Sequence, residues 1–229
     1  MNIFRKFFSL FRGSKKQTRA AIPSLTILMA VNPNVTDVSK ARKHLDEEAK
    51  KLAFLNPKTA LITTIADHND YSKFCIECIA DHFDTDFVLV IQMDSKVMKP
   101  EAWDNGFFGY DYIGAPWDLE YSNKRNWRHG WLRKHHKDFK NKDFWVGNGG
   151  FSLRSKKLCQ WLKNNAKYCD VHEDNYISIL LRSDIEAAGM KFAPYEVAKR
   201  FAVEKANYEG QFGVHKWVNI DGVKAQVNK

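Results

Sequence analysis

The chain has 229 residues and a mass of 26.6 kDa, a length that suits one α/β domain and excludes two well-cored ones. Apolar residues make up 44% of it, which excludes the intrinsically disordered class. The net charge is +9, but residues 1–20 hold six cations and no acid, which leaves +3 for the remainder. A nucleic-acid-binding domain would carry its basic face on the folded part, so we expect no nucleic-acid partner.

Residues 1–20 form a basic tail whose large apolar residues recur at the spacing of one helix face. These residues are Ile3, Phe4, Phe7, Phe8 and Phe11. A short basic, Phe-rich helix suits a membrane interface, so we predict peripheral contact with a membrane surface. A helix packed on the domain and a disordered tail are the alternatives. No run reaches the ~18 apolar residues of a spanning helix, and no clear signal-cleavage site follows, so we expect a cytoplasmic protein.

Predicted strands and helices alternate between residues 24 and 92, a pattern that favours an α/β open sheet. In chain order the elements are a strand at 25–31, a turn at 32–34, a helix capped by Thr36 or Asp37, a strand at 59–65, a helix opened by Asp70 or Ser72, and a strand at 87–91. Ligands bind beyond the carboxyl ends of such strands, so residues 92–95 are the first place to seek a site.

The helix that follows Asp70 carries a C-x-x-C pair, Cys75 and Cys78, at helical apolar spacing. We predict buried free thiols and a reducing compartment. The alternative, a zinc or redox site, lacks a second C-x-x-C pair.

The second half of the chain has longer irregular stretches. Residues 118–143 hold eight Lys or Arg with little periodicity, which is typical of a lid, a binding loop or disorder. A glycine-rich segment, 147–150, follows, and then a helix containing Leu158. A second helix, 175–188, opens after residues 172–174 and closes at Gly189. We predict a last strand at 191–196.

Asp94 follows a buried strand, where a carboxylate suits Mg²⁺ or Mn²⁺ together with substrate phosphates. Gln92 and Ser95 could support that ligand set, whereas the alternative is an Asp that caps the next turn. Glycines 149 and 150 allow close approach of a ligand, with Arg154 in reach of an anion, although an ordinary turn is the competing interpretation.

Two further positions allow both a structural and a chemical interpretation. Glu173 and Asp174 at a helix start serve either as a cap or as a general base. His215 is either a late metal ligand or a satisfied polar histidine.

Four segments occur together in this order: Q-x-D-S at 92–95, D-Y-I-G-A-P-W at 111–117, G-N-G-G-F-S-L-R at 147–154, and E-D at 173–174, with a histidine at 215. The series resembles a family catalogued mainly as a domain of unknown function and grouped with GT-A glycosyltransferases. The resemblance covers roughly residues 59–217. It implies one GT-A-like, Rossmann-like domain over residues 21–229, with a mixed central sheet flanked by helices.

The resemblance also implies roles for single residues. Asp94 and His215 are similar to metal ligands, while Asp174 is similar to the base of an inverting enzyme that Glu173 orients. The remaining binding residues it implies are Gln92, Ser95, Gly149, Gly150 and Arg154 toward the donor, and Trp117 and Asn148 toward the sugars. Gln92 stands where many such enzymes have an acid, so the ion would have fewer protein ligands here.

The activity that the resemblance implies is a hexosyltransferase-type reaction that uses Mn²⁺ or Mg²⁺. The donor would be a nucleoside diphosphate-sugar, with a UDP-sugar favoured, and the acceptor a glycan or lipid-linked molecule facing the 118–143 loop. Two other functions stay open. One is a nucleotidyltransferase, which wants a glycine-rich loop after the first strand that residues 30–34 do not offer. The other is a membrane-docked sugar- or nucleotide-binding protein with an inactive transferase fold.

Overall fold

The computed structural model describes residues 21–118, 144–220 and 223–226. The strands within these residues are β1 (Leu25–Ala30), β2 (Lys58–Ile62), β3 (Phe87–Ile91), β4 (Ser95–Val97), β5 (Tyr112–Gly114), β6 (Pro116–Asp118), β7 (Phe144–Val146), β8 (Phe151–Ser155), β9 (Ala202–Glu204), β10 (Gly213–His215), β11 (Trp217–Ile220) and β12 (Val223–Gln226). The basic tail and nearly all of the 118–143 loop lie outside the described residues, so the predictions made for them stay predictions.

The helices flank these strands. They are α1 (Val38–Lys51), α2 (His68–Lys73), α3 (Lys156–Asn165), α4 (Glu173–Asn175), α5 (Arg182–Ala187) and α6 (Tyr195–Phe201). A π-helical segment, Phe74–Cys78, continues α2, and another, Tyr176–Leu180, joins α4 to α5. Short 3₁₀ turns occupy Ala53–Leu55, Ile79–His82, Pro100–Ala102 and Asn105–Gly109.

The central sheet has five strands in the order β2-β1-β3-β8-β5. Strand β1 pairs in parallel with β2 and β3, whereas β8 is antiparallel to both β3 and β5. The predicted fold class, an α/β domain with a mixed central sheet flanked by helices, is therefore confirmed. A small sheet in the order β4-β10-β9 and two hairpin-like pairs, β6-β7 and β11-β12, complete the strands described.

The central strands are buried on both faces, which explains their continuous apolar sequences. Every residue of β1 and of β3 is buried. Alternate side chains point to opposite faces: Ile27 and Leu89 join a core with α1, while Leu28 and Val90 join one with the α2 segment. The alternation thus places a helical layer on each side of the sheet.

Local signals explain where most elements begin. Asp37 caps α1 by accepting the backbone N–H groups of Ser39 and Lys40, which selects it over Thr36. The α2 cap is Asp67, one turn earlier than the predicted Asp70, because the Asp67 carboxylate accepts the N–H of Asp70. Strand β2 ends at Ile62, three residues before the predicted end.

The strand predicted at 191–196 was wrong. Phe192 makes only an isolated bridge to Tyr112, and the chain enters α6 directly after Pro194. Proline lacks a backbone N–H for a ladder, yet its fixed φ is compatible with a helix start. The apolar residues there pack in two cores, Phe192 beside α3 and Ala193 beside β5, without joining a sheet.

The prediction of buried free thiols is confirmed for Cys75 and in part for Cys78, while the reducing compartment stays a prediction. All four cysteines are free thiols, and Cys75 is buried while Cys78 is half-buried. No helix in the described part of the chain is long and apolar enough to cross a membrane.

Candidate functional site

The turn after β3 is fastened to the glycine loop between β7 and β8. Gln92 donates its backbone N–H to Gly150 O at 3.0 Å, and the Ser95 hydroxyl contacts the carbonyls of Gln92 and Gly150 at 2.9 and 3.0 Å. Ser95 is fully buried, and these hydrogen bonds fix the turn. The binding role predicted for Ser95 stays a prediction.

Strand pairing brings Asp94 and His215 together across the chain. Strand β4 is antiparallel to β10 with Ser95 opposite His215, so Asp94 comes beside the end of β10. His215 Nε2 lies 3.4 Å from Asp94 Oδ1 and 3.1 Å from Gln92 Oε1. His215 is buried, whereas the Asp94 side chain is 37% exposed. The two predicted metal ligands are therefore neighbours, with the Gln92 amide oxygen as a third donor atom.

Glu204 holds the other side of the His215 imidazole, and sequence reasoning missed it. Strand β9 runs parallel to β10 with Glu204 opposite His215, and Glu204 Oε1 lies 3.4 Å from Nδ1. Glu204 Oε2 accepts hydrogen bonds from Trp117 Nε1 at 3.3 Å and from Asn148 Nδ2 at 2.9 Å. Its only sequence signal was a lone acid at the end of a short apolar stretch, which is too common to single out.

The imidazole of His215 and the carboxylates of Asp94 and Glu204 each shift the pKa of the other toward its charged form. Burial would lower the pKa of His215, but hydrogen bonds with Asp94 and Glu204 and their negative charges raise it. Burial would raise the pKa of Glu204, but the His215 hydrogen bond and the charges of His215, Lys216 and Lys205 lower it. The pKa of Asp94 falls in the same way, with His215 outweighing burial. Both carboxylates are therefore ionised at neutral pH.

Gly149 and Gly150 make room for site side chains of the protein itself. A Cβ on Gly150 would come within 2.1 Å of His215 Nε2. One on Gly149 would come within 2.2 Å of Glu173 Oε1 and 3.0 Å of Asp174 Cβ. Consecutive Cα atoms are about 3.8 Å apart, so the His215 group and the Glu173–Asp174 group flank adjacent residues. The predicted approach of the donor sugar to these glycines stays a prediction.

Asp174 lies at the start of α4 beside this loop. Its side chain is half-buried, and Oδ1 accepts the N–H of Asn175 at 2.7 Å. Burial, with added repulsion from Glu173 and Glu204, raises the pKa of Asp174 to about 7. A carboxylate with that pKa can both accept and release a proton near neutral pH, which is the property of a general base.

Arg154 does not reach an exposed anion. It is fully buried, and its guanidinium donates to Ser152 Oγ at 3.0 Å and to Glu173 Oε1 at 3.4 Å. Nη1 has no hydrogen-bond partner among the described residues. Arg154 thus contacts Glu173, and Glu173 in turn lies against Gly149. The predicted donor-binding role of Arg154 stays a prediction.

Trp117 and Asn148 are both buried. Besides its bond to Glu204, Asn148 Nδ2 lies 2.9 Å from His215 Nδ1. Trp117 packs with Trp145 and Ile179. Stacking of Trp117 on a sugar face stays a prediction that requires the ring to become exposed.

The donor set near His215 fits a divalent cation. An octahedral ion with ligands at about 2.1 Å places adjacent ligand atoms roughly 3 Å apart, close to the separations between His215 Nε2, Asp94 and Gln92. A metal-bound histidine usually donates its second N–H to a carboxylate, a role that Glu204 fits. Within residues 21–118, 144–220 and 223–226, however, no group of three His, Cys, Asp or Glu side chains could hold a metal. The set at His215 has only two such side chains, His215 and Asp94, because its third donor is the amide of Gln92.

The fold of this α/β domain is similar to that of a solved glycosyltransferase. A crystal structure described as that of a glycosyltransferase involved in the glycosylation of the major capsid of PBCV-1 is similar to this chain with a TM-score of 0.50. The two are 14% identical, and the match covers 84% of this chain and 92% of that one. A family model described as protein of unknown function (DUF5672) matches residues 56–215, so the chain belongs to that family. No curated protein matches it.

Proposed function

We propose that the protein is a metal-dependent, inverting glycosyltransferase of the hexosyltransferase type. It would transfer a sugar from a nucleoside diphosphate-sugar, with a UDP-sugar favoured, to a glycan or lipid-linked acceptor. One observation carries the proposal: two chemically different groups flank the consecutive residues Gly149 and Gly150. Asp174, whose pKa is raised to about 7, lies beside Gly149. The donor set of His215, Asp94 and Gln92 lies beside Gly150. A sugar bound over that junction would contact both groups.

Asp174 supplies the base. A sugar hydroxyl is a weak nucleophile, so removal of its proton as it attacks the anomeric carbon lowers the barrier. The half-buried Asp174 carboxylate is fixed at a helix start by the N–H of Asn175. The nearby Glu173 is neutralised by Arg154 at 3.4 Å, so Asp174 is the member of the pair left to accept the proton.

The opposite side of the junction would bind the donor diphosphate. His215 Nε2, Asp94 and Gln92 Oε1 would hold the cation, and Glu204 keeps the imidazole oriented through Nδ1. A bound Mn²⁺ or Mg²⁺ would offset the charge that develops on the departing diphosphate. Asn148 and Trp117 donate to Glu204 and so maintain this geometry.

The alternative is a sugar- or nucleotide-binding protein with an inactive transferase fold. Two observations favour it: Gln92 is neutral where an acid is usual, and among the described residues no metal site of three His, Cys, Asp or Glu side chains exists. Binding and turnover must therefore be measured separately.

The test has two measurements. The first is the melting temperature in the presence of each of a panel of nucleoside diphosphates, with Mn²⁺ or with EDTA. The second is the rate at which the protein releases nucleoside diphosphate from the sugar donor that contains the nucleotide bound in the first. Ligand at about 100 times Kd stabilises by roughly 2.7 kcal/mol, which for a domain of this size is an increase of about 5–10 °C in Tm. Asp94→Asn should abolish the manganese-dependent increase. Asp174→Asn should keep it and lose turnover, with inverted anomeric configuration in the wild-type product.

Asp81→Asn is the matched control, since Asp81 is an exposed carboxylate paired with Lys163 at 2.6 Å. Binding without turnover in the presence of any acceptor tested would favour the inactive binding protein. No nucleoside diphosphate binding by the wild type would refute the transferase and the nucleotide-binding form of the alternative.

A further inference from the structure

Two lysines beside the site have the same unusual backbone conformation. Lys205 directly follows Glu204 at the end of β9, and Lys216 directly follows His215 at the end of β10. Their φ angles are +56° and +61°, in the left-handed region. That conformation is strained for an L-residue with a side chain, and such strain clusters at ligand sites.

Both ammonium groups point toward one carboxylate. Nζ of Lys205 and Nζ of Lys216 each lie 3.6 Å from Glu204 Oε1. Glu204 is 4% exposed, whereas Lys216 is 45% exposed. The buried carboxylate already accepts hydrogen bonds from Trp117 and Asn148. The two ammonium groups contact it only at 3.6 Å and are partly exposed to solvent, so they can also contact a ligand.

Lys216 reaches farther across the site than Lys205. Its backbone N–H donates to Asp94 O at 2.6 Å. After burial and His215, its charge is a further cause that lowers the pKa of Asp94 and of Glu204. It also opposes the effects of burial, Glu173 and Glu204 that raise the pKa of Asp174. The two direct contacts of Lys216, with Asp94 O and with Glu204, therefore place it on the metal-binding side of the site.

A donor diphosphate bound beside Asp94 and His215 needs more positive charge than a single divalent metal ion provides. Asp94 and Glu204 are ionised and would repel it, and Gln92 contributes no charge. A charged donor that hydrogen-bonds a phosphate oxygen forms one of the stronger polar contacts in proteins. Lys216 is the partly exposed cation adjacent to Asp94, on the side where the diphosphate would lie.

We propose that Lys216 binds the diphosphate of the nucleotide donor, beside the ligand set of Asp94 and His215. The inference rests on the proposed function and extends it by assigning a residue to the leaving group. The ammonium would exchange its contact with Glu204 for phosphate oxygens when the donor binds. Its role would be to bind the phosphate oxygens, and it transfers no proton.

The test measures binding of inorganic pyrophosphate, UDP and UMP by calorimetry on the full-length chain, with and without Mn²⁺. Lys216→Asn keeps a residue that tolerates positive φ, and Lys205→Asn is the matched control with the same backbone and the same distance to Glu204. Lys216→Asn should weaken pyrophosphate and UDP binding about tenfold, which is about 1.4 kcal/mol. Lys205→Asn should change binding by less than about threefold on the same scale.

Two further variants exclude a folding artefact. Lys216→Gly fits the same backbone without strain and should match Lys216→Asn. Lys216→Arg keeps the charge and should restore binding. Equal losses in the Lys205 and Lys216 variants, or unchanged pyrophosphate binding in Lys216→Asn, would overturn the assignment while the proposed function stands. Absence of any diphosphate binding by the wild type would overturn both.

Discussion

The glycine pair between β7 and β8 separates the two halves of the site, so alanine substitutions there test each half alone. In Gly150→Ala the new Cβ would lie 2.1 Å from His215 Nε2. In Gly149→Ala it would lie 2.2 Å from Glu173 Oε1 and 3.0 Å from Asp174 Cβ. Neither glycine has a positive φ, so the effect of each substitution is steric and not a change of backbone preference.

The displacement required is large for a metal ligand. An ordinary contact is about 3.5 Å, so Nε2 must move by roughly 1.4 Å, against a tolerance of about 0.2 Å in metal–ligand distances. Glu204 and Asn148 hold the ring from the other side at 3.4 and 2.9 Å. Overpacking of this kind costs typically about 1–3 kcal/mol of stability if the ring stays in place.

Gly150→Ala should therefore lose manganese-dependent nucleoside diphosphate binding. Gly149→Ala should retain that binding and lose turnover, because only the Glu173–Asp174 group is displaced. Both are measured by calorimetry and by nucleoside diphosphate release. Gly109→Ala is the control, since a Cβ there meets nothing within 4 Å. Wild-type Mn²⁺ and UDP binding in Gly150→Ala would refute the view that His215 is the metal ligand.

Two more predictions follow from single side chains. Because the pKa of Asp174 is raised to about 7, its carboxyl is protonated at lower pH, so kcat should rise with pH through about 7; a rate that is flat from pH 5 to 8 would contradict its role as the base. Glu48→Ala should lower the free energy of unfolding by about 1–3 kcal/mol in urea denaturation, because the buried Glu48 accepts the N–H of Val97 at 2.6 Å. The exposed neighbour Glu47, paired only at 4.0 Å, should change stability by less than about 1 kcal/mol when replaced by alanine, and equal effects would exclude the assigned role of Glu48.

The central sheet could be predicted because its signals are local. The apolar run of β3 and the cap at Asp37 are each contained in a few residues. The prediction of a strand at 191–196 was wrong because the deciding information is not local. The apolar residues before Pro194 indicate that the segment is buried, but they do not indicate which part of the chain covers it. Strand β10 was missed because three residues carry no periodicity. Its pairing with β4 brings together residues that are distant in the sequence, Ser95 and His215, which are 120 positions apart.

The site could be predicted in part, and mainly through the family resemblance. That resemblance grouped Asp94 with His215 as metal ligands, and the structure brings the two side chains to 3.4 Å, while their metal-binding role stays a prediction. Arg154 and Ser95 were assigned to ligands because their groups can bind anions or support ions. Their complete burial is a property of the packed fold, which one sequence does not reveal.

Glu204 explains why two segments that looked like ligand-binding strings carry such specific residues. Trp117, in D-Y-I-G-A-P-W, and Asn148, in G-N-G-G-F-S-L-R, both donate to its Oε2. Its Oε1 faces His215 Nδ1 at 3.4 Å, which leaves Nε2 directed at Asp94 and Gln92. A buried carboxylate without those donors would be costly to desolvate, and without Glu204 the imidazole could rotate. Both strings therefore act on the donor set through a carboxylate that lies outside them, and Asn148 in addition contacts His215 Nδ1 directly at 2.9 Å.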